Sequence, residues 1–149
     1  PPHRRRVRWR AGGSLLRPEA LSHLRMETRH GMLRNVLTRQ VPALAADAAA
    51  DVLTRVLERE GIDASAIRAW IFHPGGREIL SGLQKRLCLS ERDLEVSAEI
   101  LHEHGNMSSP SVLFVLERTL ERGTPGGLWW MASFGAGFSS HGALLEVED

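Results

Sequence analysis

Residues 67–72, Ile-Arg-Ala-Trp-Ile-Phe, form a short, nearly continuous apolar run that stops at His73-Pro74-Gly75-Gly76. A run of that length without strict polar alternation is the pattern of a strand covered on both faces. Such a strand needs helical layers beside it, and the flanking sequence supplies them. Within residues 43–60, Leu44, Ala48, Val52, Leu53, Val56 and Leu57 share one helical face. Pro42 sits just ahead, where a helix start tolerates it, and Gly61 follows as a stop. Beyond the strand, Ile79, Leu80, Leu83 and Leu87 mark a second helix.

Ser90-Glu91-Arg92-Asp93 is a capping-box pattern and predicts a third helix through about His102. Ser109-Pro110 places a capping hydroxyl before a proline, opening a fourth helix with Val112, Leu113, Val115, Leu116 and Leu120 facing inward. The tail from Leu128 to Val147 reads as two strands joined by the turn Phe134-Gly135-Ala136-Gly137, and residues 24–40 read as extended. Strands between helices, with an antiparallel pair at the end, predict an α/β layered fold. Residues 1–23 are assigned to a connection or boundary segment, and residues 24–149 to the domain.

At 149 residues the chain is the size of one domain. A formal net charge of +1 gives no general pull toward nucleic acid or membrane. No apolar run approaches the roughly 20 residues of a membrane span. The start, Pro-Pro-His-Arg-Arg-Arg, lacks both an initiating methionine and an apolar stretch behind it, so the expectation is the cut end of something longer. Cys88 is the only cysteine, which excludes an intrachain disulfide and suits a reducing, cytoplasmic compartment.

Two segments carry chemistry. His73 stands where the buried strand ends, and strand carboxyl ends are where α/β folds build sites. Asn106, in Gly105-Asn106-Met107-Ser108-Ser109-Pro110, precedes the fourth helix. Read singly, the histidine is a hydrogen-bonded structural residue and the asparagine a turn residue tolerant of positive φ.

The ordered set changes that reading. "HPGG" on a strand, "GNMSSPSVLFVL" before a helix and "FGAGFS" near the end, with "GMLRNVLTRQVPAL" at residues 31–44, resembles the C-terminal half of the type III polyketide synthases, the chalcone/stilbene synthase family. The resemblance implies a thiolase-like fold built from two similar halves, this chain giving one half, a mixed sheet with helices on both faces. It also implies a Cys-His-Asn triad in which His73 and Asn106 are the catalytic histidine and asparagine. Ser133, Phe134, Gly135, Ala136 and Gly137 match the family's Gly-Phe-Gly-Pro-Gly cavity loop, departing at Ser133 and Ala136. Gly75 and Gly76 fall beside His73 in the same cavity. The implied reaction is decarboxylative condensation of malonyl-CoA with an acyl-CoA starter, by a homodimer with no metal or organic cofactor.

The triad's cysteine belongs to the family's N-terminal half, which this chain lacks. Cys88 does not replace it, because the second helix separates it from His73 by roughly 20 Å, whereas a nucleophile and its base must lie within about 3 Å. Cys88 is instead expected to be a small buried hydrophobe. Three other readings stay open: an inactive fragment or partner subunit, a condensing enzyme of the ketoacyl-carrier-protein synthase III type, and a nucleic-acid binder. The last rests on the cations around Trp9 in residues 3–10. His102, Glu103 and His104 make a poor metal set, since residues two apart on a helix do not share a face.

Overall fold

The computed structural model describes residues 5–149. Helix α1 runs from Val41 to Glu60, with proline in its first turn, and ends at Gly61 in the left-handed region (φ 65°, ψ 35°). After strand β4 (Ile67–Phe72) come α2 (Arg77–Leu87), α3 (Glu91–His104) and α4 (Pro110–Glu121). The Ser90–Asp93 capping box at the start of α3 is present in both directions. Strands β5 (Gly127–Gly135) and β6 (Ser139–Val147) close the chain.

These strands assemble as a four-stranded sheet in the order β1-β6-β5-β4, where β1 is Val7–Leu16. Strand β4 runs parallel to β5, while β5–β6 and β6–β1 are antiparallel, so the sheet is mixed. Side chains alternate between two cores, as a period of two requires. On one face Ala11, Phe72, Trp130 and Leu144 pack with α1 and α2. On the other, Ala69, Ile71, Trp129, Ala143 and Leu145 pack against Ile100, Val112 and Val115 of α3 and α4. The expected mixed sheet with helices on both faces is thus the observed one. At Gly142 the indole of Trp130 lies so close that an added Cβ would stand 2.2 Å from its Cζ2. Among the described residues no helix is long and apolar enough to cross a membrane.

The extended stretch at residues 24–40 resolves into a separate hairpin, β2 (Leu24–Arg29) with β3 (Met32–Leu37). His30 and Gly31 both take positive φ, 52° and 76°, the two-residue turn whose twist suits antiparallel strands. A backbone bond from Gly137 N–H to the Leu24 carbonyl (3.1 Å) moors the hairpin to the β5–β6 turn, and Arg17 N–H, just after β1, bonds the Phe138 carbonyl of the same turn (3.0 Å).

Three local expectations fail, and within the boundary segment of residues 1–23, Val7–Leu16 is a full strand paired with β6 from Val7↔Val147 to Leu16↔Ser139. The cations of that segment are spent within the fold. Arg5 donates to the carbonyls of Glu148 and Thr124, Arg8 pairs with Glu146 and Arg10 with Glu60, while His3 and Arg4 lie outside the described residues. Leu113 faces outward and is 57% exposed, because Val112, Val115 and Thr119 already fill the buried stripe of α4. Cys88 is exposed rather than buried, since it is the left-handed cap (φ 54°) that ends α2 and swings out of the apolar face. Ser109 makes no side-chain cap; Ser111 Oγ accepts the Met107 N–H instead (2.9 Å).

Candidate active site

The parallel pairing of β4 with β5 puts His73 immediately beyond the end of β4, held by its own N–H on the Ala132 carbonyl (2.9 Å). The chain then turns, Gly75 N–H bonding the His73 carbonyl (2.9 Å), before α2 begins. His73 is only 6% exposed, and its Nδ1 is enclosed without a hydrogen-bond partner among the described residues. Its ring meets Phe134 edge-on, centroids 5.3 Å apart. Burial therefore pushes the imidazole below its ordinary pKa, because desolvation penalises the charged form. The ring is thus favoured in its neutral form, and it lines the cleft at the end of β4.

Asn106 enters from the α3–α4 turn. Positive φ falls on its neighbours Gly105 (70°) and Ser108 (64°), so Asn106 is not the turn's left-handed residue. Its amide is fixed at both ends: Nδ2 donates to the Gly75 carbonyl (3.1 Å) and Oδ1 accepts the Ser108 N–H (2.9 Å). Flipping the amide would oppose two acceptors and two donors, so this orientation is the one the partners allow. Among the described residues Nδ2 donates this one hydrogen bond.

His73, Gly75, Asn106, Phe134, Gly135 and Ala136 share one cleft of about 170 Å³. An adjoining hollow of about 540 Å³ takes in His73, Phe134 and Ser133 as well. Gly75 is where a side chain would intrude, for an added Cβ would stand 3.0 Å from Phe134 Cζ. Gly76 does not line the cleft but forms the N-terminal boundary of α2, and Gly137 supplies the turn (φ 83°) behind it. Glu103 accepts two hydrogen bonds from Arg118 (3.2 and 2.8 Å), and its Oε2 also lies 3.6 Å from His104 Nε2.

The hairpin adds further lining to the cleft, through residues outside the motifs that mark His73 and Asn106. Leu24, Met26, Asn35 and Leu37 line it, and the register Leu24↔Leu37 and Met26↔Asn35 puts these four on one hairpin face. Their alternation with Arg25, Glu27 and Val36 was a legible signal, since period two assigns them a common face. Ser108, close in sequence to Asn106, also lines the cleft.

A mixed sheet between helix pairs, with a buried histidine at a strand end and an asparagine across the cleft from a helix start, defines a thiolase-like half-domain. Residues 13–146 match the family described as "Chalcone and stilbene synthases, C-terminal domain", and the chain belongs to that family. It is similar to 3,5-dihydroxyphenylacetyl-CoA synthase of Streptomyces toyocaensis, 31% identical over 137 residues, covering 89% of this chain and 35% of that one. Among solved structures it superposes on PKS-I of the brown alga Ectocarpus siliculosus with a TM-score of 0.87 at 28% identity, covering 94% of this chain and 39% of that one. Similarity to 1,3,6,8-tetrahydroxynaphthalene synthase of Streptomyces coelicolor A3(2), a bacterial type III polyketide synthase, is equal in TM-score (0.87) and identity (28%), covering 96% and 41%. A fungal type III polyketide synthase, ORAS, shares the fold with a TM-score of 0.80. The chain therefore spans about two fifths or less of the length of each of these proteins.

Proposed function

We propose that this chain supplies the His/Asn half of the active site of a type III polyketide synthase, which condenses malonyl-CoA with an acyl-CoA starter. The observation that carries the reading is the pairing in one cleft of a buried imidazole at a strand end and an asparagine whose amide is held by Gly75 and Ser108. The nucleophile is a cysteine from an N-terminal half. Beside His73 its thiolate reverses the desolvation that disfavours imidazolium in the isolated chain, and the ion pair attacks the starter thioester with loss of CoA.

Malonyl-CoA then loses carbon dioxide, leaving an enolate whose oxygen takes hydrogen bonds from His73 and from the second Nδ2 hydrogen of Asn106. The enolate carbon attacks the acyl-enzyme carbonyl, and the cysteine thiolate departs as the new carbon–carbon bond forms. Every step is carried by side chains and CoA thioesters, so the reading invokes no metal or organic cofactor, and the working assembly is a homodimer of complete chains.

The test is CoA release from acyl-CoA and malonyl-CoA by this chain, alone and after mixing with a separately made N-terminal half. Silence alone, turnover in the mixture and its loss on His73→Ala support the reading. Turnover by the isolated chain sinks it, because Cys88 would then be the only thiol present. Turnover in the mixture that survives His73→Ala removes the histidine from the chemistry.

A further inference from the structure

The structure assigns to Ser97, in the middle of α3, the role of positioning residue for His73. Strand β4 is the last strand of the described sheet, so one of its edges has no neighbouring strand. In a parallel pair, successive residues direct their N–H and C=O alternately to the two sides. His73 points its N–H to Ala132 on β5, and Phe72 therefore points both of its groups the other way. That edge lies under α3, where unpaired backbone groups are costly.

A single hydroxyl takes the place of the missing strand. Ser97 Oγ donates to the Phe72 carbonyl (3.1 Å) and accepts the Phe72 N–H (3.4 Å). Ser97 is fully enclosed, 0% exposed, and the Phe72 ring it secures is itself buried in the opposite core. The clamp acts one residue before His73, on the peptide from which the imidazole hangs. With the Ala132 bond on the other side, both edges of the strand end are pinned, which fixes where the imidazole stands in the cleft. An alanine would satisfy the helix and the packing but leave Phe72 without either partner.

This inference rests on the condensing role proposed for His73, and the experiment separates the two. In the 149-residue chain, Ser97→Ala and Ser97→Thr are compared with the parent by urea unfolding and by the His73 ring resonances in heteronuclear NMR. In the mixture with an N-terminal half, kcat and KM for malonyl-CoA decarboxylation are compared. Expected for Ser97→Ala are a displaced or broadened His73 signal and a kcat lowered by roughly 10- to 100-fold with KM little changed. Ser97→Thr, which keeps the hydroxyl, restores both.

A Ser97→Ala chain that is merely less stable, with His73 resonances and kcat of the folded protein unmoved, overturns the assignment. If Ser97→Ala does not fold, Ser97→Cys, which keeps the shape with a slightly larger atom and weakens both bonds, is read by the same two criteria. Should the mixture stay silent for the parent as well, the condensing reading fails while the NMR comparison still decides whether Ser97 positions His73.

Discussion

The side-chain amide of Asn106 donates to the backbone carbonyl of Gly75 at 3.1 Å, tying the turn before α4 to the turn after β4. Two segments far apart in sequence are thereby fastened at the one place where His73 is also held. The bond makes Asn106 both a clasp and a donor, and the two roles separate by substitution. Asn106→Asp keeps the size but sets a carboxylate oxygen against the Gly75 carbonyl. It is expected to cost about 1 kcal/mol of stability, measured by urea unfolding. In the enzyme reassembled with an N-terminal half, decarboxylation should fall roughly 10²- to 10³-fold, the cost of a lost oxyanion donor. Unchanged turnover would remove Asn106 from the chemistry and leave it a clasp.

The buried His73 gives stability a predictable dependence on pH. Its folded pKa lies below the ordinary value of 6.5, so the unfolded chain binds its proton first as pH falls. The contribution is fully present above about pH 6.5 and is lost as pH drops toward the folded pKa. His73→Gln removes this titration. Urea midpoints of the parent should therefore fall more steeply than those of the variant between pH 7.5 and pH 5. Parallel curves would mean that His73 is solvated in the chain.

Gly75 and Phe134 are matched in shape. In Gly75→Ala the new methyl stands 3.0 Å from Cζ and 3.1 Å from Cε2 of Phe134, so the ring has to tilt. The expected cost is about 0.5–1.5 kcal/mol, that of a side chain pushed off its preferred torsion. Phe134→Leu should relieve it, giving a coupling of at least about 0.5 kcal/mol in a double-mutant cycle. Additive effects would show that the ring has room to move.

Cys88 ends α2 with φ 54° and an exposed side chain. A non-glycine residue in that conformation costs roughly 1–2 kcal/mol. Cys88→Gly should therefore raise stability by about 1 kcal/mol in urea unfolding, because little packing is lost. In the folded parent the thiol should react with a disulfide reagent at a rate close to that of a free thiol. The reassembled enzyme should keep its turnover after Cys88→Gly. Loss of activity would contradict the placement of the nucleophile outside this chain.

What was written locally was legible in the sequence. The apolar run Ile67–Phe72, the Ser90–Asp93 capping box and the glycine stop at Gly61 each depend on neighbouring residues, and each stands where the pattern put it. His73, Phe134 and Asn106, singled out by their motifs, line one cleft. What was not legible was decided by distant partners. Val7–Leu16 is a strand only because β6, more than a hundred residues later, offers it an edge. Cys88 sits among leucines in sequence, yet the helix ends under it and turns it outward. Leu113 obeys the apolar pattern of α4 but points where no described element covers it. The sequence by itself thus determined strand β4, the four helices and the stops and caps at Gly61 and Ser90, because those rest on short-range sterics and periodicity. Only the tertiary structure decided which strand edge Ser97 closes, which carbonyl Asn106 clasps and that Leu24, Met26, Asn35 and Leu37 wall the cleft, because burial and backbone pairing are settled between segments remote along the chain.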